Sequence, residues 1–178
     1  MKKTLTNGGG KLFIRAMFTT MLEYKCEWYG VKTVLDAYSG VGSIGLSLAS
    51  EHKKVIFIES HPDAHLNAIE NAQLNQINNT EFLCGNVEDL LPSILNNQNI
   101  DLIIFDPPRK GIDPSALELT TSLKIPKIIY MSCNPSTQVR DLKILANHHY
   151  QIKEVLPYDM FPHTWHIVTG KQIGRAHV

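Results

Sequence analysis

Apolar residues in this chain fall into short β-branched runs, separated by stretches with helical spacing. The runs Thr33–Tyr38, Lys54–Glu59, Thr80–Cys84, Asp101–Asp106 and Lys127–Met131 are rich in Val, Ile and Phe. Runs of that length, bounded by Gly, Pro or Asn, read as buried strands. Between them the pattern predicts helices from Gly45 to about Ser50 and over His61–Asn78, Leu90–Leu95, Pro114–Leu123 and Thr137–His148. In His61–Asn78 the apolar share is Ala64, Leu66, Ala68, Ile69, Ala72 and Leu74, and Pro62 suits a first helical turn. In Thr137–His148, Val139, Leu142, Ile144, Leu145 and Ala146 are available for burial. Two further strands, Gln151–Tyr158 and Trp165–Thr169, complete the pattern. Strand–helix alternation of this kind predicts an α/β fold with a doubly wound, mostly parallel sheet. Ahead of it, residues 1–10 read as a flexible polar start. Lys11–Trp28 reads as a helix, so residues 1–29 form a separate N-terminal segment and residues 30–171 the domain proper.

Composition narrows the classes. The 178 residues carry 17 Lys and Arg against 17 Asp and Glu, so any nucleic-acid partner must be held by a local patch or by another domain rather than by a basic excess. Cys26, Cys84 and Cys133 are too dispersed for zinc spacing and too few for a disulfide framework, which points to free thiols. The eight histidines make no metal constellation. No apolar run approaches the roughly 20 residues of a membrane helix, and no signal-peptide pattern is read. The expectation is a cytoplasmic monomer without a membrane partner.

Candidate chemistry gathers where strands end. In a parallel α/β sheet, ligands bind at the carboxyl ends of strands. Two Pro-containing loops stand there: Asp106-Pro107-Pro108-Arg109-Lys110-Gly111 and Met131-Ser132-Cys133-Asn134-Pro135. One offers a carboxylate beside a guanidinium, the other a thiol. A third loop, Gly40-Val41-Gly42-Ser43-Ile44-Gly45, follows the first strand and opens a helix. It has the Gly-x-Gly-x-x-Gly spacing that lets a backbone approach a ligand. Glu59, ending the second strand, is placed to bind the hydroxyls of a ribose. A nicotinamide dinucleotide and S-adenosylmethionine (SAM) both fit this geometry. Asp36, just ahead of the glycines, favours the cationic SAM over a pyrophosphate that it would repel; its alternative role is a helix or turn cap. Asn86 suits either contact with an adenine edge or a turn. Arg109 could favour a thiolate or bind phosphate, or be a solvated surface residue.

The segments Val34–Gly42, Asp106–Gly111, Ser132–Pro135 and Asp159-Met160-Phe161-Pro162-His163-Thr164 together resemble the RNA uracil-5-methyltransferase family in order and spacing, from about Val34 to His166. The resemblance implies a Rossmann-like SAM-dependent methyltransferase domain acting on carbon 5 of a uridine, in 23S ribosomal RNA before tRNA. It implies that Cys133 is the nucleophile that adds to carbon 6 of the base. It places Asp106 at the boundary of SAM and uracil, and matches Tyr38, Gly40 and Glu59 to cofactor positions, where the residues themselves also set Gly42, Asp36 and Asn86. The target uridine must leave its stack to reach the thiol.

Departures from the family pattern carry expectations of their own. A base must remove the carbon-5 proton before the thiol leaves. The family uses a Glu two residues after a His, and here the segment is His166-Ile167-Val168. Unless His163, His166 or Asp159 takes the proton, turnover is expected to stall at the covalent adduct. Ser39 stands where a Cys is common. The family's Phe-x-Gln-x-Asn segment is not recognisable near Lys11–Thr20, and its N-terminal RNA-binding domain is not present. Residues 172–178 read as a non-native tail that cuts the last strand short after Thr169, although in the family that strand is inserted inside the sheet. A domain that binds SAM and RNA without completing catalysis is the competing reading, supported by Val168. A nicotinamide-dependent oxidoreductase is the weaker third, since it gives no reason for Ser-Cys-Asn-Pro.

Overall fold

The computed structural model describes residues 30–49, 53–158 and 168–175. The helix expected over Lys11–Trp28 lies outside them, as do Cys26, Asp159, His163 and His166. The chain divides after Asn86 into two compact units.

In the first unit three strands run parallel: β1 (Thr33–Ala37), β2 (Lys54–Glu59) and β3 (Thr80–Cys84). β2 lies between the other two, with Leu35 opposite Ile56 and Phe57 opposite Phe82. Val34, Leu35, Val55, Ile56, Phe57 and Ile58 are buried, as the near-continuous apolar runs of a parallel sheet require. The crossovers are α1 (Gly45–Leu48) and α2 (Pro62–Leu74). α1 is a single turn, shorter than the stretch to Ser50 that its spacing suggested. α2 buries only Ala68 and Ala72, while Leu66 and Leu74 are each 61% exposed. Small residues let this helix lie close to the strands, which turns its larger apolar side chains outward.

The second unit contains α3 (Val87–Asn97), β4 (Leu102–Phe105), α4 (Pro114–Ser122), β5 (Lys127–Ser132), α5 (Pro135–Asn147), β6 (Tyr150–Tyr158) and β7 (Val168–Arg175). α3 begins earlier than the expected Leu90, with Glu88 and Asp89 in its first turn, where acidic groups complement the helix dipole. β4 and β5 are parallel, and Phe105 faces Tyr130. β7 inserts antiparallel between β5 and β6, as the family pattern implied. Of the expected strand Trp165–Thr169, residues 165–167 lie outside the described residues, and β7 runs on past Thr169 to Arg175. It pairs along the whole of β5, from Ser132 opposite Thr169 to Lys127 opposite Gly174. Ile173, in the segment read as a tail, is buried opposite Ile128. An apolar residue at this register completes a buried position, so the strand does not stop at Thr169. β6 carries an irregularity between Ile152 and Glu154.

α5 also departs from expectation. Val139 is 47% exposed and Ala146 is exposed, while Gln138, Asp141, Leu142 and Leu145 are buried. Those four follow a helical stripe, but two of them are polar, which an apolar pattern cannot find.

Gly45 leaves no room for a side chain. A Cβ there would lie 2.4 and 2.7 Å from Phe57 ring atoms and 2.8 Å from Asp36 Oδ2. The Phe57 ring cannot retreat freely, because it stacks on Phe82 at 4.6 Å. Gly45→Ala is therefore expected to destabilise the fold by about 1–3 kcal/mol, the range for overpacking. Urea denaturation checks this, and a midpoint equal to that of the unmodified chain would refute the packing argument.

Candidate functional site

The glycine loop is held from three sides within the first unit. Tyr38 leaves β1 with φ 62°, a left-handed conformation that is strained for a bulky residue. Gly40 follows with φ 56°, and the position of its missing Cβ meets nothing within 4 Å. The backbone is thus open to close approach at this residue. Gly42, with φ 78°, packs instead against Leu46 and Ala68. Glu59 Oε2 accepts from Gly40 N at 2.7 Å, and Glu59 Oε1 accepts from His61 N at 2.7 Å. A carboxylate offers about four lone-pair sites, so these two bonds fix its orientation and leave acceptor capacity. Asn71 Nδ2 on α2 donates to Val41 O at 3.0 Å and pins the middle of the loop.

Asp36 is buried, and its Oδ2 accepts from Gly45 N at 2.8 Å, the first amide of α1. The cap alternative therefore describes one of its oxygens. Asn86 is exposed. It follows Gly85, whose N donates to Glu59 O at 3.0 Å, so the loop after β3 is tied to the end of β2.

In the second unit, β4 and β5 end at the same edge because they are parallel. Cys133 is a free, half-buried thiol one residue past β5. Asp106 and Arg109 are exposed in the loop after β4. Asn134 joins the two loops. It caps α5 by accepting from Ser136 N at 3.1 Å, and its Nδ2 donates to Arg109 O at 3.2 Å. Thr137 Oγ1 donates to the same carbonyl at 3.2 Å. On the other side of the thiol, Ser132 Oγ accepts from Asn134 N at 3.0 Å. Cys133 is thus flanked by residues whose side chains are engaged with backbone. Among the described residues no cluster of three or more His, Cys, Asp or Glu could hold a metal ion, and no helix is long and apolar enough to cross a membrane.

Comparison with known proteins decides the family. The family model described as tRNA (uracil-5-)-methyltransferase matches residues 13–176. The chain belongs to this family. An uncharacterized RNA methyltransferase of Clostridium tetani is 47% identical over 138 residues, covering 78% of this chain and 30% of that protein. One from Bacillus cereus is 43% identical over 154 residues, covering 86% and 33%. The chain therefore spans about a third of the length of these relatives. Among solved structures, the Pyrococcus abyssi tRNA (uracil-54, C5)-methyltransferase, in complex with S-adenosyl-L-homocysteine, superposes with a TM-score of 0.74 at 32% identity. That match covers 87% of this chain and 38% of the other. The fold is the Rossmann-like α/β fold of SAM-dependent methyltransferases.

Three side chains escaped the motif reading. Asn71 gives no signal in a polar helix. Asn134 did carry one, since Asn followed by Pro is the signature of a cap and first helical position. Asp141 is buried and accepts from Tyr130 Oη at 2.6 Å and Ile112 N at 3.0 Å. Burial, and then this carboxylate, push the Tyr130 phenol well above its ordinary 10.0.

Asn134→Ala removes a cap and the link to Arg109, and is expected to lower stability by about 1–2 kcal/mol in chemical denaturation. An unchanged midpoint would show that the link contributes nothing. For Tyr130 the folded state holds the proton more tightly than the unfolded chain does. Its contribution is therefore complete below the ordinary value of 10.0 and declines as pH rises above it. Tyr130→Phe should flatten that alkaline decline in melts recorded from pH 9 upward; an equal slope in both proteins would contradict it.

Proposed function

We propose that this chain is the catalytic part of an enzyme that methylates carbon 5 of a uridine in RNA, with Cys133 as nucleophile. The observation that carries the reading is the half-buried Cys133 thiol, one residue past β5 and laced through Asn134 to the loop bearing Asp106 and Arg109. Membership of the family supplies the reaction class.

SAM fits the glycine loop. The open face at Gly40 admits a ligand against backbone, and the remaining lone pairs of Glu59 suit ribose hydroxyls. Tyr38, Gly42 and Asn86 would border it, and Asp36 would act mainly by holding α1 in place. When bound, SAM supplies a methyl group attached to a sulfonium, and hence electrophilic. The protein's part is to make carbon 5 nucleophilic. The Cys133 thiolate adds to carbon 6, forming an S–C bond and moving the ring electrons onto the enolate that includes carbon 5. Asp106 would hold the base edge. Arg109 would stabilise negative charge at the thiol or a flanking phosphate. Once carbon 5 carries the methyl group, its proton must pass to a base so that the S–C bond can break and the thiolate leave. Val168 cannot accept that proton, so release depends on His163, His166 or Asp159.

The substrate is read as 23S ribosomal RNA from the motif resemblance. The 32% identical Pyrococcus abyssi protein, which acts on tRNA, supports tRNA as the alternative. With no net charge on the chain, RNA affinity should be weak and lost with added salt. The chain is read as a cytoplasmic monomer. A non-catalytic binding domain is the second reading, and Val168 is the residue that favours it.

The test is a denaturing gel of the protein incubated with SAM and either a uridine-containing rRNA stem-loop or a tRNA, beside Cys133→Ala. A slow band that requires Cys133 is expected, and the RNA that gives it identifies the substrate class. Val168→Glu should convert the lasting band into a transient one with methylated RNA as product. If neither RNA gives a band while SAM binding is intact, the non-catalytic reading replaces the first.

A further inference from the structure

Within the second unit, one buried carboxylate on α5 links the end of the loop after β4 to strand β5, which leads into the thiol. Asp141 Oδ2 accepts from Ile112 N at 3.0 Å, just past the Arg109 loop, and from Tyr130 Oη at 2.6 Å, three residues before Cys133. Its Oδ1 accepts from Arg140 Nε at 2.8 Å, and the Arg140 guanidinium approaches to 2.7 Å. Arg140 Nη2 also donates to Lys110 O at 3.0 Å, so the same pair holds a second peptide of the loop. The fit leaves no slack. Gly111, with φ 86°, would place a Cβ 2.6 Å from both Asp141 Oδ2 and Arg140 Nη2.

A fold needs no charge at this point. A buried ion pair such as Arg140–Asp141 is weak evidence for stability, since apolar side chains of similar volume would fill the space as well or better. What the carboxylate adds is direction. It accepts from two separate chain segments, at Ile112 and Tyr130, and from the guanidinium of its helix neighbour Arg140, and each bond fixes where its donor lies. The Tyr130 hydroxyl stays protonated because of its burial and this partner, so it remains a donor well into the alkaline range. The bonds converge on segments that carry the reacting groups at their far ends.

We propose that Asp141, through Tyr130 and Ile112, is a positioning residue that fixes the Cys133 thiol relative to the Asp106–Gly111 loop. The RNA arm of the test rests on the reading of Cys133 as nucleophile; the thiol arm does not. Asp141→Asn and Tyr130→Phe are compared with the unmodified chain in two measurements. In the first, the apo protein is alkylated with iodoacetamide and the rates at Cys133 and Cys84 are separated by peptide mass spectrometry. Cys84, exposed at the end of β3, is the internal reference. Loosening the thiol should raise the Cys133-to-Cys84 rate ratio about fivefold or more, because Cys133 is half-buried and held. In the second, covalent adduct formation with a 5-fluorouridine RNA should slow about tenfold at saturating RNA and SAM. A misplaced nucleophile loses rate even when ligands are bound, so the KM values should stay within about twofold. Because unfolding would also expose the half-buried thiol, both measurements are made where urea denaturation shows each variant fully folded, so that a changed ratio reports the folded state.

An unchanged ratio, or equal acceleration at both cysteines, would overturn the proposal. Should Asp141→Asn fail to fold, Tyr130→Phe decides alone, since it removes one hydroxyl. If the unmodified chain forms no RNA adduct, the functional reading fails, and the alkylation ratio still decides whether Asp141 positions the thiol.

Discussion

A buried carboxylate has to be satisfied from within the protein, and that constraint organises both halves of this chain. In the first unit Asp36 takes the first amide of α1 and draws the glycine loop over the end of β1. In the second, Asp141 takes Ile112 N, the Tyr130 hydroxyl and the Arg140 guanidinium. Neither group can be removed without leaving donors unpaired in a site that water does not reach, and unpaired donors are more damaging than the bonds are stabilising. The glycines follow from the same constraint. Gly45 and Gly111 each lie where a carboxylate oxygen already occupies the place of a Cβ. Each of these loops is therefore anchored by the carboxylate beneath it.

The strands were legible because a parallel sheet buries both faces, and uninterrupted runs such as Val55–Ile58 have no other use. Their ends were legible too, from the Pro and Gly that follow. Helix faces were not. α2 packs through Ala68 and Ala72 and turns Leu66 and Leu74 to solvent, so size misled where hydrophobicity was counted. α5 buries Gln138 and Asp141 in place of Val139 and Ala146. A polar residue belongs inside only when its partners are known, and those partners lie on β5, β7 and the 106–112 loop. Gln138, for example, donates to Tyr130 O and to Thr169 O. No local window of sequence contains that information.

The candidate site divides along the same line. Its candidate groups were legible as motifs, because chemistry restricts residue type: a thiol, a carboxylate, a guanidinium and spaced glycines. The bonds that hold the loops around them were not, although Asn134 carried the Asn-Pro signature of a cap. Asn71 and Asn134 act through amide side chains that any polar surface also carries. For Asp36 the reading hinged on what its carboxylate faces, and the bond to Gly45 adds a structural duty that a charge argument alone does not foresee.

The place of β7 also bears on how the polypeptide acquires its shape during synthesis. Among the described residues, β6 pairs as a strand with β7 and not with β5, because β7 lies between them. When β6 leaves the ribosome, its neighbour has not yet been made, and Tyr150–Tyr158 must wait with an incomplete partner set. Only when Val168–Arg175 follows can an antiparallel pair form locally and then dock on β5. Local pairs close faster than distant ones, so this hairpin is the natural last piece to dock. The edge of β5 beside the thiol stays uncovered until it does, and a nascent chain halted before residue 168 would expose that edge to whatever strand is nearest.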